Sequence, residues 1–81
     1  MKSKPDTNVI LSCLQDIEYI KVDRPIYKSW WREIVGWNIY ASSIIRTNYT
    51  IQRLRDEIES QHLPLEIREK GFGNWFQVYI V

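Results

Sequence analysis

SWWREIVGWNIYASSII, Ser29 to Ile45, is the stretch whose reading decides the fold of this 81-residue chain. Ser29 suits the N-cap of a helix, because its hydroxyl oxygen can accept from an orphan N–H of the first turn. Trp30 and Ile34 then fall four apart, as do Trp31 and Val35. Each pair can line neighbouring parts of one helical face. Gly36 ends or bends that helix. The tryptophan cluster reads as core and interface packing rather than a ligand-stacking site. The segment after it, Asn38 to Ile45, is either the connection to the next helix or an early start of it.

Working outward, RTNYTIQRLRDEIES (Arg46 to Ser60) is amphipathic at the helical period. Ile51, Leu54 and Ile58 share one face, and Tyr49, Gln52, Arg53 and Asp56 share the other. Thr47 or Asn48 caps the helix, which runs to about Gln61, and Pro64 marks its end. Upstream, Ile10, Leu14 and Ile17, with Leu11 beside them, predict a first helix from Asn8, capped by Thr7 or Asn8. Residues 1–7 form a frayed tail. Pro25 disfavours helix at Arg24, so Pro25 to Tyr27 is expected to be a short extended piece at a sheet edge.

Downstream, Leu65 and Ile67 alternate with Glu66 and Arg68. Phe76, Val78 and Ile80 alternate with Trp75, Gln77 and Tyr79. The loop between them holds Gly71 and Gly73, which makes a β-hairpin. The expected fold is therefore α+β: three helices followed by a C-terminal β-hairpin, the plan of a small winged helix-turn-helix, with residues 8–81 as its single domain. A hairpin alone is marginally stable and must lay its apolar face on the helices.

Composition narrows the classes. A hydrophobic fraction of 44% with four tryptophans supports a real core at the lower size limit for independent stability. No apolar run is long enough to cross a bilayer, and the polar, basic start lacks the apolar core of a signal peptide. A soluble cytoplasmic protein is expected. Cys13 is the only cysteine and His62 the only histidine, too few for a Cys/His zinc site. Cys13 reads as a small apolar packing residue, and His62 as a solvated or C-capping residue at a helix end. No nucleophile–base–acid set or phosphate loop is present, so neither an enzyme nor a cofactor is expected.

The run TIQRLRDEIESQHLPLEIREKGFGNWF, Thr50 to Phe76, resembles the recognition helix and wing of winged-helix effector domains from two-component response regulators. The resemblance rests on Ile51, Gln52, Arg53, Leu54 and Arg55, on the pair Gly71 and Gly73, and on Arg46 and Thr47 at the helix start. Asn74 stands before Trp75 where the family pattern has the aromatic directly after its glycines. The resemblance implies a winged-helix fold and contact with duplex DNA. It spans less than half of the chain, and the receiver domain that such regulators carry is not read in this sequence, so no phosphorelay role is expected.

In such a fold the third helix enters the major groove. Gln52 and Arg53 are then the candidates for base readout, since Gln pairs with adenine and Arg with guanine. Arg46, Thr47, Asn48 and Tyr49 sit at the helix start, where side chains and free N–H groups suit a phosphate. Arg68 and Lys70 flank the glycine loop and would lie along the backbone or minor groove. The charge balance works against strong binding. Net charge is +1, and residues 44–76 carry five cations against five anions. Specific binding thus calls for a homodimer or a partner protein. Trp75, Tyr79 and Val81 face outward on the last strand, either covered by the N-terminal helix or as a self-association surface. The competing reading is a winged-helix module that binds another protein, which low charge and four tryptophans favour.

Overall fold

The computed structural model describes residues 6–28, 33–43, 45–70 and 73–81, with residues 69 and 70 as backbone alone. The elements are α1 (Thr7–Gln15), β1 (Ile20–Tyr27), β2 (Ile34–Ala41), α2 (Thr47–Ser60), β3 (Leu65–Lys70) and β4 (Trp75–Ile80). All four strands join one antiparallel sheet in the order β1-β2-β4-β3. The fold is α+β, but it is not the expected three helices with a C-terminal wing. Among the described residues two helices lie on a four-stranded sheet, and the expected wing is half of that sheet.

The correction falls on the stretch from Ser29. Residues 34–41 form β2, an inner strand, where a helix was expected up to Gly36 or Trp37 and a connection or an early start of the next helix from Asn38. The composition explains why. Ile34, Val35 and Ile39 are β-branched, and Trp37 and Tyr40 are aromatic, which fits a pleated and half-buried surface. Trp37, Ile39 and Ala41 alternate into the core, a period of two rather than 3.6. The tryptophans that completed the helical pairs, Trp30 and Trp31, lie outside the described residues.

Other expectations hold closer to their places. α1 forms where Ile10 and Leu14 predicted it, although Asp6 is the cap, its carboxylate accepting from the Asn8 N–H at 2.9 Å. The extended piece at Pro25 is an edge strand, as expected, and is longer than Pro25 to Tyr27. The hairpin strands appear as read, with Gly73 at φ 85 in the turn, while Gly71 lies outside the described residues. α2 closes through His62, which takes φ 54. The Leu63 N–H then donates to the Ile58 carbonyl at 2.9 Å and the His62 N–H to Glu59 at 3.2 Å. Those bonds satisfy carbonyls that a helix end leaves open.

One core unites both helices with one face of the sheet. Ile10, Leu14 and Ile17 meet Trp37, Ile39 and Ala41, together with Leu54, Ile58, Leu65, Phe76 and Val78. Ile20, Val22, Ile67 and Ile80 pack around them. The short axis of the molecule is 18 Å, which holds one sheet and one helix layer, since a helix with side chains is about 10–12 Å across. Among the described elements, both helices therefore sit on one side and the opposite face of the sheet is uncovered. Among the described residues no helix is long and apolar enough to cross a membrane.

Candidate nucleic-acid interface

Strand alternation decides what the uncovered face displays. Because Phe76 and Val78 point into the core, Trp75, Gln77 and Tyr79 point away from it. On β2, Asn38 and Tyr40 do the same between buried Trp37, Ile39 and Ala41. The register sets Asn38 opposite Gln77, Tyr40 opposite Trp75, and Gly36 opposite Tyr79. On the edge strands, Lys21 stands opposite Tyr40 and Glu66 opposite Tyr79.

The middle of this face is a connected polar row. The Gln77 amide donates to the Asn38 side-chain oxygen at 3.2 Å, and the Asn38 amide donates to the Arg24 carbonyl at 3.0 Å. The Tyr79 hydroxyl donates to the Gln77 side-chain oxygen at 3.2 Å. Both amides are thereby held in one orientation. By the valence of the group, each retains one N–H and one lone pair for an outside partner. Arg68 extends the row at the far edge, its guanidinium 4.8 Å from the centre of the Tyr79 ring and 3.3 Å from Glu66. The Glu66 and Arg68 side chains are each about half exposed, so their ion pair adds little stability. At the near edge, Asp23, Arg24, Asn38, Tyr40 and Trp75 line an open groove of about 400 Å³.

Both edge strands break register beside this row, β1 after Val22 and β3 after Ile67. A bulge sets extra residues against one partner and re-aims side chains. Here it brings the neighbourhoods of Asp23 and Arg24, and of Arg68, beside the two amides.

The residues expected to touch DNA do not form one surface. Arg46, Asn48 and Tyr49 are exposed at the start of α2, but Thr47 is 1% exposed and its hydroxyl donates to the Ser43 carbonyl at 3.2 Å. Gln52 donates to Asp56 at 3.3 Å along the helix. Arg53 lies 4.3 Å from the centre of the Tyr19 ring. These groups sit in the helix layer, on the opposite side of the sheet from Arg68, Trp75 and Tyr79. The side chain of Lys70 lies outside the described residues. Trp75 and Tyr79 are half-buried on the uncovered face and are not covered by α1. Val81 is exposed just past β4.

Lys21, Arg24, Asn38, Tyr40 and Gln77 complete the face, and the sequence reading passed them over. The alternation Asn-x-Tyr from Asn38 and Trp-x-Gln-x-Tyr from Trp75 was the available signal.

The helix side holds two further features. Tyr19 lies over a small cleft of about 250 Å³ with Cys13, Arg53 and Glu57 on its walls. Its ring is partly exposed, but its hydroxyl oxygen is covered and has no hydrogen-bond partner among the described residues. Burial holds the phenol above its ordinary range, Glu57 and Asp56 push the same way, and Arg53 opposes them. Between α2 and β3, Ile58, Leu63, Leu65 and Ile67 floor a groove of about 650 Å³ rimmed by Arg55 and His62. Among the described residues no cluster of His, Cys, Asp and Glu could hold a metal ion. No known protein family, curated protein or solved structure matches the chain.

Proposed function

We propose that this protein binds duplex DNA through the uncovered face of its sheet, as a small regulatory factor of the cytoplasm without a catalytic step. The observation that carries the reading is the locked amide pair Asn38–Gln77, flanked by Arg24 and Arg68 at the centre of that face. Amide and guanidinium groups are the side chains that match base edges, Asn and Gln pairing with adenine and Arg with guanine. Orientation fixed in advance reduces the entropy lost on binding. The major groove admits β-ribbons as well as helices, so a sheet surface is a suitable reader.

Stacking of single strands is less well supported. The Tyr79 ring is already covered by Arg68, and Tyr40 and Trp75 stand side by side with only partial exposure. Charge limits the affinity. With Lys21, Arg24 and Arg68 as the exposed cations of the face among the described residues, the salt slope should be about −2 to −3. A second copy of the chain, or a partner protein on adjacent DNA, would supply the remaining contacts.

The test is selection from a random duplex pool, followed by titration against salt. An enriched motif whose binding weakens in Arg68→Ala and Asn38→Ala, but not in Arg53→Ala, supports the sheet as reader. Loss in Arg53→Ala alone would move the site to α2. Preference for single strands would replace readout by stacking. If no nucleic acid binds above background, a protein partner becomes the better reading, favoured by the groove beside β3, whose apolar floor is rimmed by Arg55, Glu59, His62 and Glu66.

A further inference from the structure

The sheet order β1-β2-β4-β3 and the element order α-β-β-α-β-β have a geometric consequence. A twofold axis perpendicular to the sheet, between Asn38 and Gln77, carries one α-β-β half onto the other. Through the β2–β4 register it superposes Trp37 on Phe76, Asn38 on Gln77, Ile39 on Val78 and Tyr40 on Tyr79. The edges follow, with Ile20, Lys21 and Val22 falling on Leu65, Glu66 and Ile67. Each edge strand then breaks register immediately after its matched residue, Val22 or Ile67. The helices bring matching buried pairs four residues apart, Ile10 with Leu14 and Leu54 with Ile58. Register and bulge position agree throughout, and residue type agrees at the core-facing positions, the central amide pair and Tyr40 with Tyr79, but not at Lys21 with Glu66 or Gly36 with Trp75; chain separation hides the repeat along the sequence.

Resting on the DNA reading above, we infer that one chain recognises a short, imperfect inverted repeat whose centre lies under Asn38 and Gln77. Duplex DNA carries a local twofold axis between its antiparallel strands, and a protein dyad aligned with it sees the same edge on both strands. Asn38 and Gln77 offer the same amide chemistry on either side of the axis, and both favour adenine. The inner positions of the site are therefore symmetric. The outer positions are not. Lys21 stands beside Tyr40 and Trp75 in one half, whereas Glu66 stands beside Tyr79 and Gly36 in the other. Lysine favours guanine, and glutamate accepts from the cytosine amine. From strand rise and spacing, Lys21 and Glu66 are about 20 Å apart, which is about six base pairs of duplex.

The experiment is selection from random duplex DNA with the intact chain, repeated with Lys21→Ala and Glu66→Ala. Both side chains are exposed, and circular dichroism checks that each variant folds. The expected motif has an inverted-repeat centre with adenine on both strands. Lys21→Ala should relax one outer position and Glu66→Ala its mirror position, each by about tenfold in base preference. A motif without twofold symmetry, or both variants relaxing the same position, would overturn the inverted repeat while leaving DNA binding in place. No enriched motif at all would overturn both.

Discussion

Gln77 on β4 and Asn38 on β2 are register partners, and the Gln77 amide donates to the Asn38 side chain at 3.2 Å in the centre of the uncovered face. Neither residue serves the core, since Trp37, Ile39, Phe76 and Val78 fill it from the other face. Gln77→Ala should therefore cost more in binding than in folding. Loss of a bidentate base contact predicts about 1–3 kcal/mol lower affinity for a selected duplex. The folded state loses the two hydrogen bonds of the Gln77 amide, to Asn38 and from Tyr79, about 1–2 kcal/mol in all on a face where water can replace them. Anisotropy titration beside thermal melting separates the two. Equal losses in both would reduce the pair to scaffolding.

Arg53 and Arg68 make the same kind of contact on opposite sides of the molecule, one over Tyr19 and the other over Tyr79. If the sheet reads DNA, Arg68→Ala should remove one cation from the face, flattening the salt slope by about one unit, and relax preference at one base position at a cost of about 1–3 kcal/mol. Arg53→Ala should leave binding unchanged and lower stability by about 0.5–1 kcal/mol, the value of an exposed cation–π contact. Paired titrations at several salt concentrations decide between the sheet and the helix as reading surface.

The contrast between these arginines shows where sequence reasoning stopped. The hairpin was legible because Leu65, Ile67, Phe76, Val78 and Ile80 alternate cleanly around a glycine loop. α1 and α2 were legible from apolar residues spaced four apart. β2 was not. Trp30 and Trp31 supplied false helical partners for Ile34 and Val35, and the true partners of β2 are β1 and β4. The β4 partners lie far along the chain, and periodicity within one segment carries no information about them. With β2 missing, the hairpin could only be read as a wing and α2 as the recognition helix. Arg68, Trp75 and Tyr79 were singled out, but Asn38 and Gln77 gained meaning only once the register paired them.

Tyr19 gives the molecule an alkaline limit. Its phenol is held above the ordinary value of 10.0, mainly by burial and then by Glu57. The neutral form is thus favoured in the folded protein. Its contribution is fully present below pH 10.0 and falls as pH rises from there through the folded value, because the unfolded chain ionises first. Tyr19→Phe should remove that slope. It also deletes a covered hydroxyl that has no partner among the described residues, which should raise stability at neutral pH by about 1 kcal/mol. Denaturant unfolding at pH 7 and above pH 10 measures both effects. A less stable variant at neutral pH would mean that the hydroxyl is bonded after all.

His62 closes α2 in the left-handed region at φ 54, where a side chain costs about 1–2 kcal/mol relative to glycine. The imidazole is exposed, so little packing offsets that cost. Glycine also has more freedom to lose on folding, which trims the gain. His62→Gly should stabilise the protein by about 0.5–1 kcal/mol, seen as a rise of a few degrees in Tm. A fall in Tm would show that the ring over the α2–β3 groove holds the chain in place.

Gly36 and Gly73 are required for different reasons, and two substitutions tell them apart. Gly36 lies on β2 against β4, where an added Cβ would collide with the Val78 carbonyl oxygen and lie 3.1 Å from the Tyr79 Cα. Both obstacles are backbone, so the central strand pair itself would have to part. Gly36→Ala should cost about 1–3 kcal/mol, the range for overpacking, or more if the pair cannot yield. Gly73 meets nothing within 4 Å but adopts φ 85, so its requirement is conformational. Gly73→Ala should cost about 1–2 kcal/mol, and Gly73→Asn less, since asparagine tolerates that region. Gly36→Asn offers no such relief, because the obstacle is space. Melting the four variants side by side checks the register directly: rescue by asparagine at position 36 as well as 73 would contradict the close approach of β2 and β4 on which the Asn38–Gln77 pair depends.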